Sequence, residues 1–165
     1  SLHKNNYTTT LLSGDKKEKC DNLATELGIK ATYSEQLPQD KIAKIETLVK
    51  TNETAMVGDG INDAPALTQA DVGIAIGTGT DIAMETGDIV LVKGSLLGVV
   101  RTTILAKAIF RKIKQNLFWA FIYNIISIPL AFLGLLHPVV AECAMALSSI
   151  IVVGNSNHLR RKQLN

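Results

Sequence analysis

From Asn116 to Leu136 no residue carries a formal charge. A run of about twenty such residues is long enough, as a helix, to cross a hydrocarbon core. A second apolar stretch follows from Pro138 to Val153, which Gly154–Asn157 extend to a similar length, and Gly134–Pro138 is a short connection between the two. Lys107, Arg111, Lys112 and Lys114 precede the first stretch, and Arg160, Arg161 and Lys162 follow the second. Basic flanks favour the cytoplasmic side, so both ends are expected there and His137 near the far side. The pattern predicts two transmembrane helices over 116–157, a basic cytoplasmic linker helix over 101–115 and a cytoplasmic tail over 158–165. Two buried helices of a large soluble protein are the alternative. Trp119 and Tyr123 lie on the first span, Tyr123 too deep for a simple interface anchor.

Residues 1–100 have a different texture, mixing charges with short apolar runs. Strands are expected at Tyr7–Leu12, Lys30–Tyr33, Thr54–Val57, Val72–Ile76 and Ile89–Val92. Helices are expected from the Ser13-Gly14-Asp15 turn to about Leu27, from Pro38 through Val49, and from the Asp59 turn through Leu67, with a helical turn near Asp81–Glu85. Strands and helices alternating at this spacing indicate βαβ units and a parallel sheet, hence an α/β fold. Such sheets bind ligands at the carboxyl ends of their strands, where Ser13-Gly14-Asp15 and Gly58-Asp59-Gly60 both fall. A net charge of +2 and the lack of a basic face interleaved with aromatics argue against a nucleic-acid partner. Cys20 and Cys143 form no CxxC pair, so neither a zinc site nor a disulfide framework is indicated, and both read as packing. Ser1-Leu2-His3 shows no initiator Met, signal peptide or transit pattern, as if the chain began inside a larger protein.

The chemistry concentrates in Met56-Val57-Gly58-Asp59-Gly60-Ile61-Asn62-Asp63-Ala64-Pro65-Ala66-Leu67. Asp59 and Asp63 sit four residues apart across a strand-to-helix turn, close enough to share one phosphate–Mg²⁺ centre. Mg²⁺ is commonly held by one or two carboxylates plus substrate phosphate. A bare Asp-Gly turn is usually only a turn, but these twelve residues together resemble the hinge motif of the P-type ATPases, ion pumps that pass through an aspartyl-phosphate.

That resemblance implies a role for further residues and a haloacid dehalogenase-like (HAD-like, Rossmann-like) partial phosphorylation domain over 1–100. Ser13 resembles the family's hydroxyl that contacts the transferred phosphoryl group, where Thr is commoner, and Asp15 the neighbouring supporting acid. Leu37-Pro38-Gln39-Asp40-Lys41 is similar to the LPxDK segment, whose Lys neutralises phosphoryl charge. Asp59 resembles the Mg²⁺ ligand, and Asn62 and Asp63 the residues that complete the phosphate and metal shell. The phosphorylated Asp of the family's DKTGT segment, the nucleotide domain, the actuator domain's TGE and the earlier spans are not in this sequence. No Walker A loop replaces them, since Gly77 and Gly79 lack the GK[ST] ending. The implied partners are the nucleotide, actuator and earlier membrane domains of the same pump polypeptide, together with the lipid bilayer. ATP and Mg²⁺ are implied for that whole enzyme, and the chain alone is not expected to turn over ATP.

Polar residues inside a span are costly and by default mark an ion path. The first span carries Tyr123-Asn124 and Ser127; the second carries Met145, Ser148 and Ser149 on one helical face. A lone Met is ordinary packing, and small Ser residues often merely let helices approach. A thioether beside hydroxyl and amide oxygens nevertheless suits a soft monovalent ion such as Cu(I). Gln115–Phe121 followed by Tyr-Asn, then Met-x-x-Ser-Ser, resembles the heavy-metal pumps that export copper(I) or silver(I). Zinc and cadmium members instead place a Lys and an Asp in these spans. Two roles stay open for Glu142, the release path and the outer headgroup layer. The reading is the C-terminal part of a copper-translocating P-type ATPase in the cell membrane. Three others compete: a pump for another heavy metal, a truncated non-catalytic membrane metal-binding protein, and a membrane-tethered phosphatase lacking its nucleophile.

Overall fold

Strands β1 (Thr10–Leu12) and β2 (Ala31–Tyr33) pair in parallel, with Thr10 opposite Ala31 and Leu12 opposite Tyr33. In this computed structural model the described residues are 2–59, 62–77, 87–92, 94–135 and 137–160, the side chains of 138 and 158–160 excepted. Outside them lie Gly60 and Ile61 of the Asp59 turn, Gly79, the turn expected at Asp81–Glu85, Leu136 and the basic pair Arg161–Lys162. Strand β3 (Ala55–Gly58) pairs in parallel with β4 (Val72–Ile76), and β4 in parallel with β5 (Ile89–Leu91). The described strands thus form two parallel sheets rather than one, in the orders β1-β2 and β3-β4-β5. They share a core, because Leu12 packs against the cluster of Ile45, Met56, Ala66, Leu67 and Ala75.

The helices between the strands follow their local signals. Helix α1 (Lys17–Leu27) buries Cys20 and Ala24, four residues apart on one face, and places the Cys20 thiol in the core as packing. Helix α2 (Pro38–Val49) starts on Pro38, whose missing N–H costs nothing at a first helical position. Helix α3 (Ala64–Gln69) is short, yet it anchors Leu67, only 1 % exposed. Burial of that side chain contributes about 1.5–3 kcal/mol. Gly73, Ile74 and Ala75 are consecutive buried residues, as expected of a central parallel strand covered on both faces. The first strand is shorter than its pattern suggested. A 3₁₀ turn at His3–Asn5 ends on Asn6 in the left-handed region, and the ladder to β2 begins only at Thr10.

The chain divides after Val100 into two units. In the second, the expected linker and first span are one uninterrupted helix, α4 (Leu96–Phe132, 37 residues), whose first turns belong to the first unit. No proline, glycine or capping residue between Val100 and Asn116 gives it a reason to stop. It ends four residues before Leu136 because Gly134 adopts a left-handed backbone (φ 70°), while Leu133, Gly134 and Leu135 donate back to Pro129, Ala131 and Leu130. That is a common helix terminus, and glycine fills it without a Cβ penalty. Helix α5 (Pro138–Arg160, 23 residues) follows.

Both helices are long and apolar enough to cross a membrane, and among the described residues none in their most apolar windows is buried. Ile125 is 64 % exposed and Val153 68 %. Such stretches need hydrocarbon rather than water around them, so the second unit makes this an integral membrane protein.

Candidate phosphoryl-transfer site

The site gathers at the carboxyl ends of β1 and β3. Ser13 continues the β1–β2 ladder, its N–H donating to the Tyr33 carbonyl at 2.9 Å. Its own carbonyl accepts from Gln36 N–H (3.0 Å), and the Asp15 carbonyl accepts from Glu35 N–H (2.9 Å). The Ser13–Asp15 turn is therefore stitched by backbone bonds to the loop entering α2.

Within that turn the side chains bond one another. The Ser13 hydroxyl donates to Asp15 Oδ2 (3.2 Å) and accepts from the Asp15 N–H (3.1 Å). Lys19 Nζ donates to Asp15 Oδ1 at 3.0 Å. The Lys19 hydrogen bond, then the Ser13 hydroxyl, hold the Asp15 carboxyl below the usual carboxylate range, and the Lys41 charge pulls the same way. Asp15 thus stays ionised. Lys19, which the sequence reading did not single out, stands at i+4 from Asp15; that spacing is the signal that could have found it.

Lys41 sits in the first turn of α2, where the Asp40 carboxylate accepts the Leu37 N–H at 3.0 Å and secures the helix start. Its ammonium reaches across to Asp63, at the N-terminus of α3, with Nζ 2.7 Å from Oδ1. Both side chains are largely shielded, 15 % and 16 % exposed, so this pair is less weakened by water than an open surface pair. Gly58 makes room for it. A Cβ at Gly58 would lie 2.8 Å from both Cβ and Oδ2 of Asp63. Asp59 is exposed at the strand exit and its Oδ1 accepts the Asn62 N–H at 3.4 Å.

Ser13 thus bonds Asp15 and Lys41 bonds Asp63, the two pairs being linked by the charge of Lys41 acting on Asp15, while Asp59 and Asn62 lie on the turn that leads to Asp63. Two carboxylates on one strand-to-helix turn form a donor set suited to Mg²⁺ with phosphate and water completing its shell, although among the described residues no cluster of three acidic, His or Cys side chains occurs.

The membrane residues are less gathered. Tyr123, half-buried on α4, donates from its hydroxyl to the Ala141 carbonyl of α5 at 2.8 Å. Asn124 is exposed and donates to Ala120 of its own helix (3.1 Å). Ser149 donates to the Met145 carbonyl (3.1 Å), Met145 is 60 % exposed, and Ser148 is half-buried. Of these five, only Tyr123 bonds across the hairpin.

Residues 1–71 match the family model of haloacid dehalogenase-like hydrolases. The chain is 49 % identical, over 99 % of its length, to a copper-exporting P-type ATPase of Staphylococcus saprophyticus. It is 52 % identical, over 97 % of its length, to a probable copper-exporting P-type ATPase V of Mycobacterium tuberculosis. It spans about a fifth of the length of these curated relatives, 21 % of each. Among solved structures, a zinc-transporting PIB-type ATPase in the E2.Pi state superposes with a TM-score of 0.83 at 36 % identity, covering 92 % of this chain and 25 % of that one.

Proposed function

We propose, for a chain that belongs to the heavy-metal P-type ATPases, that it works as the C-terminal part of an ATP-driven exporter of copper(I) or silver(I). Residues 1–100 would serve as part of the phosphorylation domain and 116–157 as its last two membrane helices, in the cell membrane with both flanks cytoplasmic. The observation that carries this reading is the meeting of Lys41 and Asp63. Lys41 lies in α2 and Asp63 at the N-cap of α3, 22 positions apart, yet they bond at 2.7 Å.

The arrangement suits phosphoryl transfer, where catalysis is mostly positioning and charge stabilisation. Asp63 holds the Lys41 ammonium at the mouth of the site, where it neutralises phosphoryl oxygens. Ser13 has one O–H, and Asp15 now takes it. To donate to a phosphoryl oxygen it must rotate off the carboxylate, which Lys19 continues to hold. Asp59 and Asp63 would hold Mg²⁺, which when bound would offset the charge of the transferring group.

Copper is favoured by the exporters matched at 49 % and 52 % identity, and by a membrane donor set of thioether, hydroxyl and amide groups. Zinc is the second reading, favoured by the superposition on a zinc transporter. Against it, Glu142 is the sole carboxylate between Asn116 and Asn157, and no imidazole lies within either apolar stretch. The polypeptide that carries this chain, reconstituted in lipid, should hydrolyse ATP faster with Cu(I) or Ag(I) and not with Zn²⁺. Equal activation by Zn²⁺ would remove the copper assignment, and no activation by any of the three would remove the pump.

A further inference from the structure

Five polar side chains join α4 to α5 at the end of the hairpin opposite the Gly134 turn, none of them among the residues that would touch phosphate or transported metal. Lys112 Nζ donates to Asn155 Oδ1. Asn155 Nδ2 donates to Asn116 Oδ1 at 2.7 Å and approaches Gln115 Oε1 at 3.4 Å. Asn116 Nδ2 donates to Ser156 Oγ at 2.8 Å, and Ser156 Oγ donates to the Val152 carbonyl at 2.8 Å.

Donation runs in one sense, from an ammonium that can only donate to a carbonyl that can only accept. Each amide is thereby fixed in one orientation, and Asn155 is the hub, using its oxygen toward Lys112 and its nitrogen toward Asn116. Lys112, Asn116 and Asn155 are half-buried, so their polar groups are drawn to one another rather than left to water.

The Tyr123–Ala141 bond forms a second cross-link, about 10 Å from Asn116 along α4 and about 21 Å from Asn155 along α5 by helix rise. Two cross-links at separate heights fix both the rotation and the axial register of α5 against α4. Between them lie Met145, Ser148 and Ser149, whose height relative to Tyr123 and Asn124 depends on that register. A slide of α5 by one helical turn would move the Met145 sulfur by about 5.4 Å, beyond any metal–ligand bond to a site shared with α4.

We propose that Asn155 is a positioning residue: through Lys112 and Asn116 it sets the register of the two membrane helices, and with it the geometry of the transported-metal site. The inference rests on the pump reading for its functional consequence, while the register itself does not.

Two measurements separate these. In the 165-residue chain in nanodiscs, with Cys20 and Cys143 replaced by Ser, nitroxides at the exposed positions Ile125 and Ile150 give one distance distribution. Asn155→Leu should shift its centre by several ångströms or broaden it about two-fold, and Asn155→Asp, which keeps the acceptor for Lys112, should move it less. In the full polypeptide, Asn155→Leu should raise the Cu(I) concentration for half-maximal ATPase activity at least ten-fold. Phosphoenzyme formed from ATP at saturating Cu(I) should stay within about two-fold of wild type, a split that general misfolding would not produce. An unchanged distance distribution in Asn155→Leu overturns the proposal, as does an unchanged half-activating concentration in a wild-type background that responds to Cu(I). A wild type indifferent to metal instead removes the pump reading, and the distance measurement alone then decides the register.

Discussion

Replacing Gly58 by Ala tests the phosphoryl site at its tightest point. The added Cβ would stand 2.8 Å from Cβ and Oδ2 of Asp63 and 3.2 Å from its Cγ. Ordinary contacts begin near 3.4 Å, so Asp63 or the end of β3 must retreat by at least about 0.6 Å. Gly58 is ladder-paired with Ala75, a fully buried residue of the central strand, so the strand has little freedom to yield. Asp63, at the N-terminus of a short helix, is the group that moves. Its bond to Lys41 starts at 2.7 Å and would stretch to about 3.3 Å if the ammonium did not follow, the limit of a useful hydrogen bond. Overpacking of this kind costs about 1–3 kcal/mol of stability. Displacement of a positioning group by a fraction of an ångström to 1 Å costs roughly 10–100-fold in rate. The assay is single-turnover phosphorylation by labelled ATP at saturating metal, in the full polypeptide, beside its thermal unfolding midpoint. Gly14→Ala is the graded control, since its Cβ meets only the Gln36 carbonyl at 3.3 Å, and a change within about 0.5 kcal/mol is expected. A Gly58→Ala protein that phosphorylates at the wild-type rate with an unchanged midpoint would refute the close-packed geometry of Asp63 and Lys41.

Other substitutions separate the parts of the site. Asp59→Asn should abolish phosphoenzyme formation while membrane metal binding persists, because a metal-bound carboxylate contributes several kcal/mol to charge stabilisation; phosphorylation near wild type would show that the Asp59 turn is only a turn. Met145→Leu keeps volume and apolarity, so the fold should survive at a cost of less than about 1.5 kcal/mol. Copper-stimulated turnover should nonetheless fall, and an unaltered Cu(I) response would exclude the sulfur as a ligand. Asp15 has a depressed pKa in the folded chain, so its stabilising contribution is complete above its ordinary value of about 3.9 and disappears as pH falls through the lowered one. Lys19→Met removes the largest cause, and the acid limb of unfolding, followed by circular dichroism in detergent, should move to higher pH; superimposable acid limbs would count against the Lys19–Asp15 bond.

What the sequence settled was whatever repeats locally or reads as a run. Two apolar stretches, the first uncharged and the second carrying only Glu142, announced the membrane helices, because a chain in hydrocarbon must be predominantly apolar over its crossing length. Pro38 and Val49 marked both ends of α2, and Val72–Ile76 marked β4, since caps, prolines and short buried runs act through near neighbours. Asp59, Asp63, Lys41 and Ser13 could be named in advance as candidates because the short segments that carry them resemble motifs of a known family, and such motifs are contiguous in sequence. Their mutual distances could not. Whether Lys41 meets Asp63 depends on how α2 and α3 pack over one core of Ile45, Met56 and Leu67, and on Gly58 leaving the space. The fusion of linker and first span into α4 was legible in the lack of proline or glycine between Val100 and Asn116, although the change from basic to apolar composition there suggested a boundary. The bonds among Lys112, Asn116, Asn155 and Ser156 were hidden. They join residues about forty positions apart, and no spacing rule within either helix reveals a partner on the other; only the antiparallel packing of the hairpin brings them to one height.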